Sequence, residues 1–112
     1  MCTREQAITI LSHVAEMTRA VFPGRDCETI LYGSYARGEQ DGDSDVDIMV
    51  LADIPRAELC RYKQPFLRLS SELGMENDVL ITVTLRDRET FERYLSAMPF
   101  YQAVRREGIS IG

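Results

Sequence analysis

One histidine and three cysteines in 112 residues leave little material for imidazole or thiolate chemistry. Cys2, Cys27 and Cys60 are odd in number and lack metal-ligand spacing, so reduced thiols in a cytoplasmic protein are expected. His13 lies beside an apolar helical stripe with no catalytic partner nearby, which predicts a structural or surface histidine. No cleavable leader is expected, because the first twenty residues mix charges with apolar positions throughout. The longest apolar run is too short to span a bilayer. Basic residues are outnumbered, 13 Lys and Arg against 18 Asp and Glu. The resulting net charge of −5 argues against an extended basic surface for nucleic acid.

What is present suits one small soluble domain over residues 1–112, with a single modest core. Thr3 and Gln6 have the spacing of a capping box, opening a helix on Ala7, Ile10, Val14, Met17 and Val21 that ends at Pro23-Gly24. Strands are expected at about Glu28 to Tyr32, Val46 to Leu51 and Asp78 to Leu85. Ser34 to Glu39 reads as a short helix. Asp53 and Pro55 begin another, which uses Leu59, Tyr62, Phe66, Leu69 and Leu73, is kinked or divided at Pro65, and stops at Gly74. Asp87 caps a helix on Phe91, Tyr94 and Leu95, and a last helix runs from Pro99 to about Glu107 with Gly108 at its end. The order predicts a mixed α/β (α+β) fold, with one three- or four-stranded sheet and helices mainly on one face. Val46, Ile48 and Val50, with Val79, Ile81 and Val83, form the expected core face, leaving the aspartates on an uncovered one.

The chemistry concentrates in residues 33–48. Side chains two apart on a strand emerge on one face, roughly 6.6 Å apart along it, so Asp45 and Asp47 can share a metal or bridge two. Hard oxygen donors without His or Cys suit Mg²⁺ or Mn²⁺ rather than zinc. Gly33 allows close backbone approach, and Ser34 adds a hydroxyl and an N–H at a helix start, a combination that favours phosphate. Arg37, one turn later, is a candidate for the same phosphates. Gly-Ser and Asp-x-Asp are each common alone; their combination on adjacent predicted strands is far more specific. Tyr32 is expected in the core and Tyr35 at the surface. Phe100 and Tyr101 belong either to a partner surface or against the first helix.

Gly33-Ser34, ten residues, then Asp45-Val46-Asp47 resembles the signature of the DNA polymerase β-like nucleotidyltransferase superfamily, and most closely its minimal nucleotidyltransferase branch. Leu31 to Gly38, Ser44 to Ile48 and the closing Arg106-Glu107-Gly108-Ile109 carry that likeness, which covers nearly the whole chain. It implies Mg²⁺-dependent transfer of a nucleoside monophosphate, usually AMP from ATP, to an acceptor hydroxyl. Gly33 and Ser34 would hold terminal phosphates, and Asp45 and Asp47 the metals. A third carboxylate, on a later strand, completes such sites. Here the acid on the right strand phase is Asp78, at the strand's beginning, with Thr82 at the mid-strand position. Asp78 either reaches the metal or simply opens the strand.

The resemblance also implies a partner. Minimal nucleotidyltransferases occur beside a small helical HEPN-domain protein, commonly an RNase toxin, and act as its antitoxin by attaching AMP or by binding. Two readings follow: an AMP-transferring enzyme, or a non-catalytic module that binds nucleotide or partner. A homo-oligomer is compatible with both.

Overall fold

The computed structural model describes residues 2–112. Helix α1 (Arg4–Val21) starts at the expected capping box: Thr3 Oγ1 accepts from the Gln6 N–H at 3.1 Å, and Gln6 Oε1 from the Thr3 N–H at 2.7 Å. Strand β1 (Cys27–Tyr32), the single-turn helix α2 (Ser34–Arg37) and strand β2 (Val46–Ala52) follow. Next come α3 (Arg56–Leu59), a 3₁₀ turn at Cys60–Tyr62, α4 (Lys63–Asn77), β3 (Ile81–Asp87), α5 (Arg88–Tyr94), α6 (Pro99–Glu107) and β4 (Ile109–Ile111). Among the described residues, no helix is long and apolar enough to cross a membrane.

The four strands lie in the order β3-β2-β1-β4. β1 pairs antiparallel with both β2 and β4, whereas β2 and β3 run parallel, so α3 and α4 form the crossover that parallel pairing requires. The fold is therefore the mixed α+β arrangement expected, with the sheet at four strands. The fourth, β4, continues directly from the Gly108 cap.

Strand phase works as the alternation predicts on one face. Leu31, Val46, Ile48, Val50 and Ala52 pack with Ala7, Ile10, Leu11 and Val14 of α1 and Phe66 and Leu73 of α4. The opposite face departs from expectation, because it is not left bare. Ile30, Met49 and Leu51 form a second apolar cluster with Phe91 of α5 and with Tyr101 and Val104 of α6. Tyr101 packs on Phe91 with ring centroids 4.8 Å apart, rather than against α1. Helices thus cover both faces. Asp47, near the start of β2, is half-buried on this second face.

Three local expectations need correction. Gly74 does not stop α4, which runs on to Asn77, and Asp78 is its C-cap in the left-handed conformation, with φ 52° and ψ 53°. The third strand consequently begins at Ile81, not at Asp78. The division expected at Pro65 falls just before it: the chain breaks into a 3₁₀ turn and restarts at Lys63, leaving Pro65 in the first turn, where its missing N–H is harmless.

Glu28 ties the second layer to the sheet. Its Oε2 accepts from Arg105 NH1 of α6 at 2.7 Å and from Ser110 Oγ of β4 at 2.5 Å, and Oε1 lies 3.5 Å from Arg88 NH1 of α5. Burial alone would raise the Glu28 pKa, but the Ser110 and Arg105 hydrogen bonds and the charges of Arg105 and Arg88 outweigh it and hold the carboxyl below its ordinary value. A depressed carboxylate stabilises the fold fully above its unfolded pKa, and that contribution disappears as pH falls through the lower folded value. Urea titrations between pH 7 and pH 3 are therefore expected to show Glu28→Gln less stable than wild type near neutrality, with the difference shrinking in acid. A gap constant across that range would rule out the linkage.

Candidate active site

The Gly-Ser turn sits where β1 gives way to α2. Gly33 has φ 80° and ψ −157°, a backbone region essentially reserved for glycine. A Cβ placed there would lie 2.9 Å from Oδ2 of Asp47. The missing side chain is what lets the turn close onto the aspartate, so two motifs separated by ten residues in sequence meet in space.

What holds the turn was not expected. Tyr35 is buried in the main core and donates its hydroxyl hydrogen to the Cys2 carbonyl at 2.9 Å. Arg4, in the first turn of α1, donates from Nε to the Tyr35 carbonyl and from NH2 to the Ala36 carbonyl, each at 3.0 Å. These bonds satisfy acceptors of a helix too short to stand alone. Nothing in the local pattern marks Arg4 for this role, since its partners lie 31 and 32 residues away.

Tyr35 is thus buried rather than at the surface, whereas Tyr32 packs as expected, partly buried against the second apolar cluster. Tyr32, the half-buried one, stands beside Asp47 on the second face and meets Phe100 edge to face at 5.6 Å. Burial pushes its phenol pKa up and the Asp47 charge adds to this, against a hydrogen bond with Thr84 and the charge of Arg86.

Across the sheet, Tyr32, Asp47 and Thr82 form one row. Asp45 precedes β2 and is exposed, whereas Asp47 is half-buried within it. Burial raises the Asp47 pKa, and the neighbouring Asp45 charge raises it further. Such a pair favours occupancy by a cation. Two oxygen-donor carboxylates, against which Gly33 leaves room, fit a hard divalent ion.

Asp78 and Arg37 stand apart from this arrangement. Asp78, exposed at the α4 cap, lines a cleft of about 890 Å³ together with Asp43, Asp45, Met75 and Leu80. It does not join Asp45 and Asp47: among the described residues no three His, Cys, Asp or Glu side chains converge as a metal-binding group. The strand position facing Asp47 belongs to Thr82. Arg37 is held by carboxylates, with Nε 3.1 Å from Glu39 Oε2 and NH1 3.3 Å from Glu107 Oε2. The i+3 spacing from Ser34 suggested reach toward phosphate but carried no information about Glu107, which is 70 residues away.

A mixed four-stranded sheet that clasps a Gly-Ser turn against an Asp-x-Asp strand is the architecture of a nucleotidyltransferase. The chain belongs to the nucleotidyltransferase domain family, whose model matches residues 13–103. It is 38% identical over 53 residues to the candidate protein adenylyltransferase MJ0141 of Methanocaldococcus jannaschii, a match covering 47% of this chain and 52% of that protein. The chain thus spans about half of that relative. A second candidate protein adenylyltransferase of the same organism, MJ0604, is 28% identical over 90 residues, covering 80% of this chain and 82% of the other. Among solved structures, a toxin–antitoxin with AMP-PNP superposes with a TM-score of 0.52 at 22% identity, over 88% of this chain and 69% of that one. A mutant of the toxin–antitoxin MntA–HpeT gives 0.51 at 25% identity, over 90% and 70%. These likenesses carry the fold.

Proposed function

We propose that this protein transfers AMP from ATP to a hydroxyl on a partner protein, as the antitoxin of a toxin–antitoxin pair. The observation that carries the reading is the contact between Gly33 and Asp47, which joins a phosphate-favouring turn to a two-carboxylate site. The relatives, as candidate protein adenylyltransferases, favour a protein acceptor, and a neighbour solved with AMP-PNP favours an adenine nucleotide. A small helical HEPN-domain toxin is the partner that the sequence resemblance implies. Free thiols at Cys2, Cys27 and Cys60 suit a reducing cytoplasm.

Asp45 and Asp47 would hold Mg²⁺ or Mn²⁺, which when bound neutralises the triphosphate and orients it. Gly33 admits the terminal phosphates to the backbone, and the Ser34 hydroxyl donates to a phosphate oxygen. The acceptor oxygen then bonds to the α-phosphorus as the bond from that phosphorus to the bridging oxygen of the β-phosphate breaks, pyrophosphate departs with that oxygen, and the acceptor's hydroxyl proton passes to solvent.

The purified protein, a co-purified partner, labelled ATP and Mg²⁺ test this. Wild type is expected to label the partner, and Asp45→Ala with Asp47→Ala to lower transfer by about a thousandfold or more, the scale of a lost electrostatic clamp. Equal labelling by both proteins would refute the assignment. A second reading, a non-catalytic module that binds nucleotide or partner, is favoured by one observation: Thr82 stands opposite Asp47 while Asp78 faces solvent. Under the enzyme reading Asp78→Asn leaves transfer within about threefold of wild type, and under either reading it leaves nucleotide binding within the same range. A loss comparable to the double variant would restore Asp78 as the third ligand. Nucleotide binding without any transfer would select the module.

A further inference from the structure

β3 is an outer strand of the sheet, with β2 on one side and an open edge on the other. The Val46 N–H donates to the Leu80 carbonyl at 2.9 Å, while Val46 is in register with Ile81. In a parallel ladder that bond fixes the phase of every later one. Thr82, Thr84 and Arg86 aim their backbone groups at β2, and Ile81, Val83 and Leu85 aim theirs outward. Outer strands are ordinarily blunted by brevity, proline, a bulge or charge. β4, at the opposite edge, is three residues long. β3 is seven, holds no proline, and keeps unbroken register with β2 from Ile81 to Asp87.

The flank of this edge is apolar. Leu67 and Met75, two turns apart on one side of α4, are 58% and 86% exposed, and Leu80 just before β3 is 65% exposed. Leu67 and Val83 sit between two clefts that follow the edge, and the clefts differ in charge. Asp43, Asp45 and Asp78 line the one at the start of β3; Lys63 and Arg86 line the one at its end. α4 has the same polarity, with Lys63 and Arg68 before its middle and Glu72 and Glu76 after it. Among the described residues, none of these charged side chains is held in an ion pair.

We propose that this face is the interface of a symmetric homodimer, in which β3 pairs antiparallel with β3 of a second copy about a two-fold axis at Val83. An isologous contact needs a surface complementary to itself. A patch that is acidic at one end and basic at the other meets that need when reversed. Ile81 of each copy falls opposite Leu85 of the other, so the three outward-pointing residues exchange N–H and C=O groups reciprocally. Arg86 falls opposite Leu80, beside the acidic cleft. The two α4 helices meet in opposite directions, which covers Leu67 and Met75 and sets each basic half against an acidic one. A different protein could add a strand to this edge, but the charge reversal along it is already matched by the chain itself.

The test uses the full chain in sedimentation velocity over a concentration series, with amide hydrogen exchange on the same samples. Wild type is expected to approach twice the monomer mass as concentration rises. Amides of Ile81, Val83 and Leu85 should then gain protection by about tenfold or more, while those of β4 stay unchanged. Two charge-reversed forms probe the direction of pairing: Lys63→Glu with Arg86→Glu, and Asp43→Lys with Glu76→Lys, which leaves the Asp78 cap in place. Each alone sets like charges across the two-fold and is expected to raise the dimer dissociation constant by about 10- to 100-fold. Mixed in equal amounts, with one form fluorescently labelled, they should dimerise with each other as wild type does with itself. Should either form fail to fold, the exchange pattern of wild type decides alone.

A wild type that stays monomeric up to about 0.5 mM would overturn the proposal and leave the edge to an extended segment of another protein. So would a dimer whose protection appears at β4 or along α5 and α6 instead of β3. Folded reversed forms that each associate as wild type does, or that fail to associate when mixed, would overturn the antiparallel, charge-matched pairing.

Discussion

Gly33→Ala is expected to damage stability and the site together, by two separable mechanisms. At φ 80° and ψ −157° an alanine is strained by about 1–3 kcal/mol, whatever surrounds it. Its Cβ would also meet the Asp47 carboxylate at 2.9 Å. That oxygen belongs to a side chain, so the carboxylate swings aside and leaves the position a cation requires. Mg·AMP-PNP affinity should fall by tenfold or more, alongside a lower urea midpoint. Gly38→Ala is the control: Gly38 also has positive φ, at 74°, but a Cβ there meets nothing within 4 Å. It should lose about 1–2 kcal/mol of stability and bind nucleotide as wild type does. If both variants bind normally, the Gly33–Asp47 contact is not what shapes the site.

The second large effect is at Gly108, where the backbone is unstrained, with φ −70° and ψ 149°, and the obstacle is space. A Cβ would lie 2.3 Å from Ile30 Cγ2 and 2.4 Å from the Val104 carbonyl oxygen. Ile30 is buried in the second cluster and Val104 O accepts the α6 capping bond, so neither neighbour yields cheaply. Overpacking of this kind predicts a loss of about 2–3 kcal/mol in denaturant titration. The damage should concentrate where α6 hands over to β4, so amides of Ile109 to Ile111 should exchange faster than those of β2. Stability within about 0.5 kcal/mol of wild type would mean that α6 shifts without penalty.

Sequence reading worked where a physical rule acts over a few residues. The capping box at Thr3 and Gln6 was legible because its hydrogen bonds span one turn. So was Asp87, which accepts from the Thr90 N–H at 2.8 Å and starts α5. The period-two pattern of β2 placed Val46, Ile48 and Val50 on the main core. Reading failed where distant segments compete for one side chain. Tyr35 is drawn inward by Cys2, Arg37 is claimed by Glu107, and Arg4 crosses from α1 to the α2 carbonyls. Cys60 is exposed where α3 gives way to a 3₁₀ turn.

Asp78 illustrates the limit most sharply. Alternation alone extends β3 back to it, since Asp78, Leu80, Thr82 and Thr84 share a phase. A helix terminus in the left-handed conformation overrides that pattern, because α4 needs a cap before the chain can turn into the sheet.

The sequence by itself determined the Gly33-Ser34 turn, the two aspartates at strand-alternation spacing and the family to which they belong, since each is written in residues close together along the chain. The tertiary structure alone decided that helices cover both sheet faces, that Thr82 rather than Asp78 stands opposite Asp47, and that Glu39 and Glu107 hold Arg37. Those facts depend on register between strands and on which of several carboxylates wins each arginine. Both are settled by packing across the whole chain, and no local period records them.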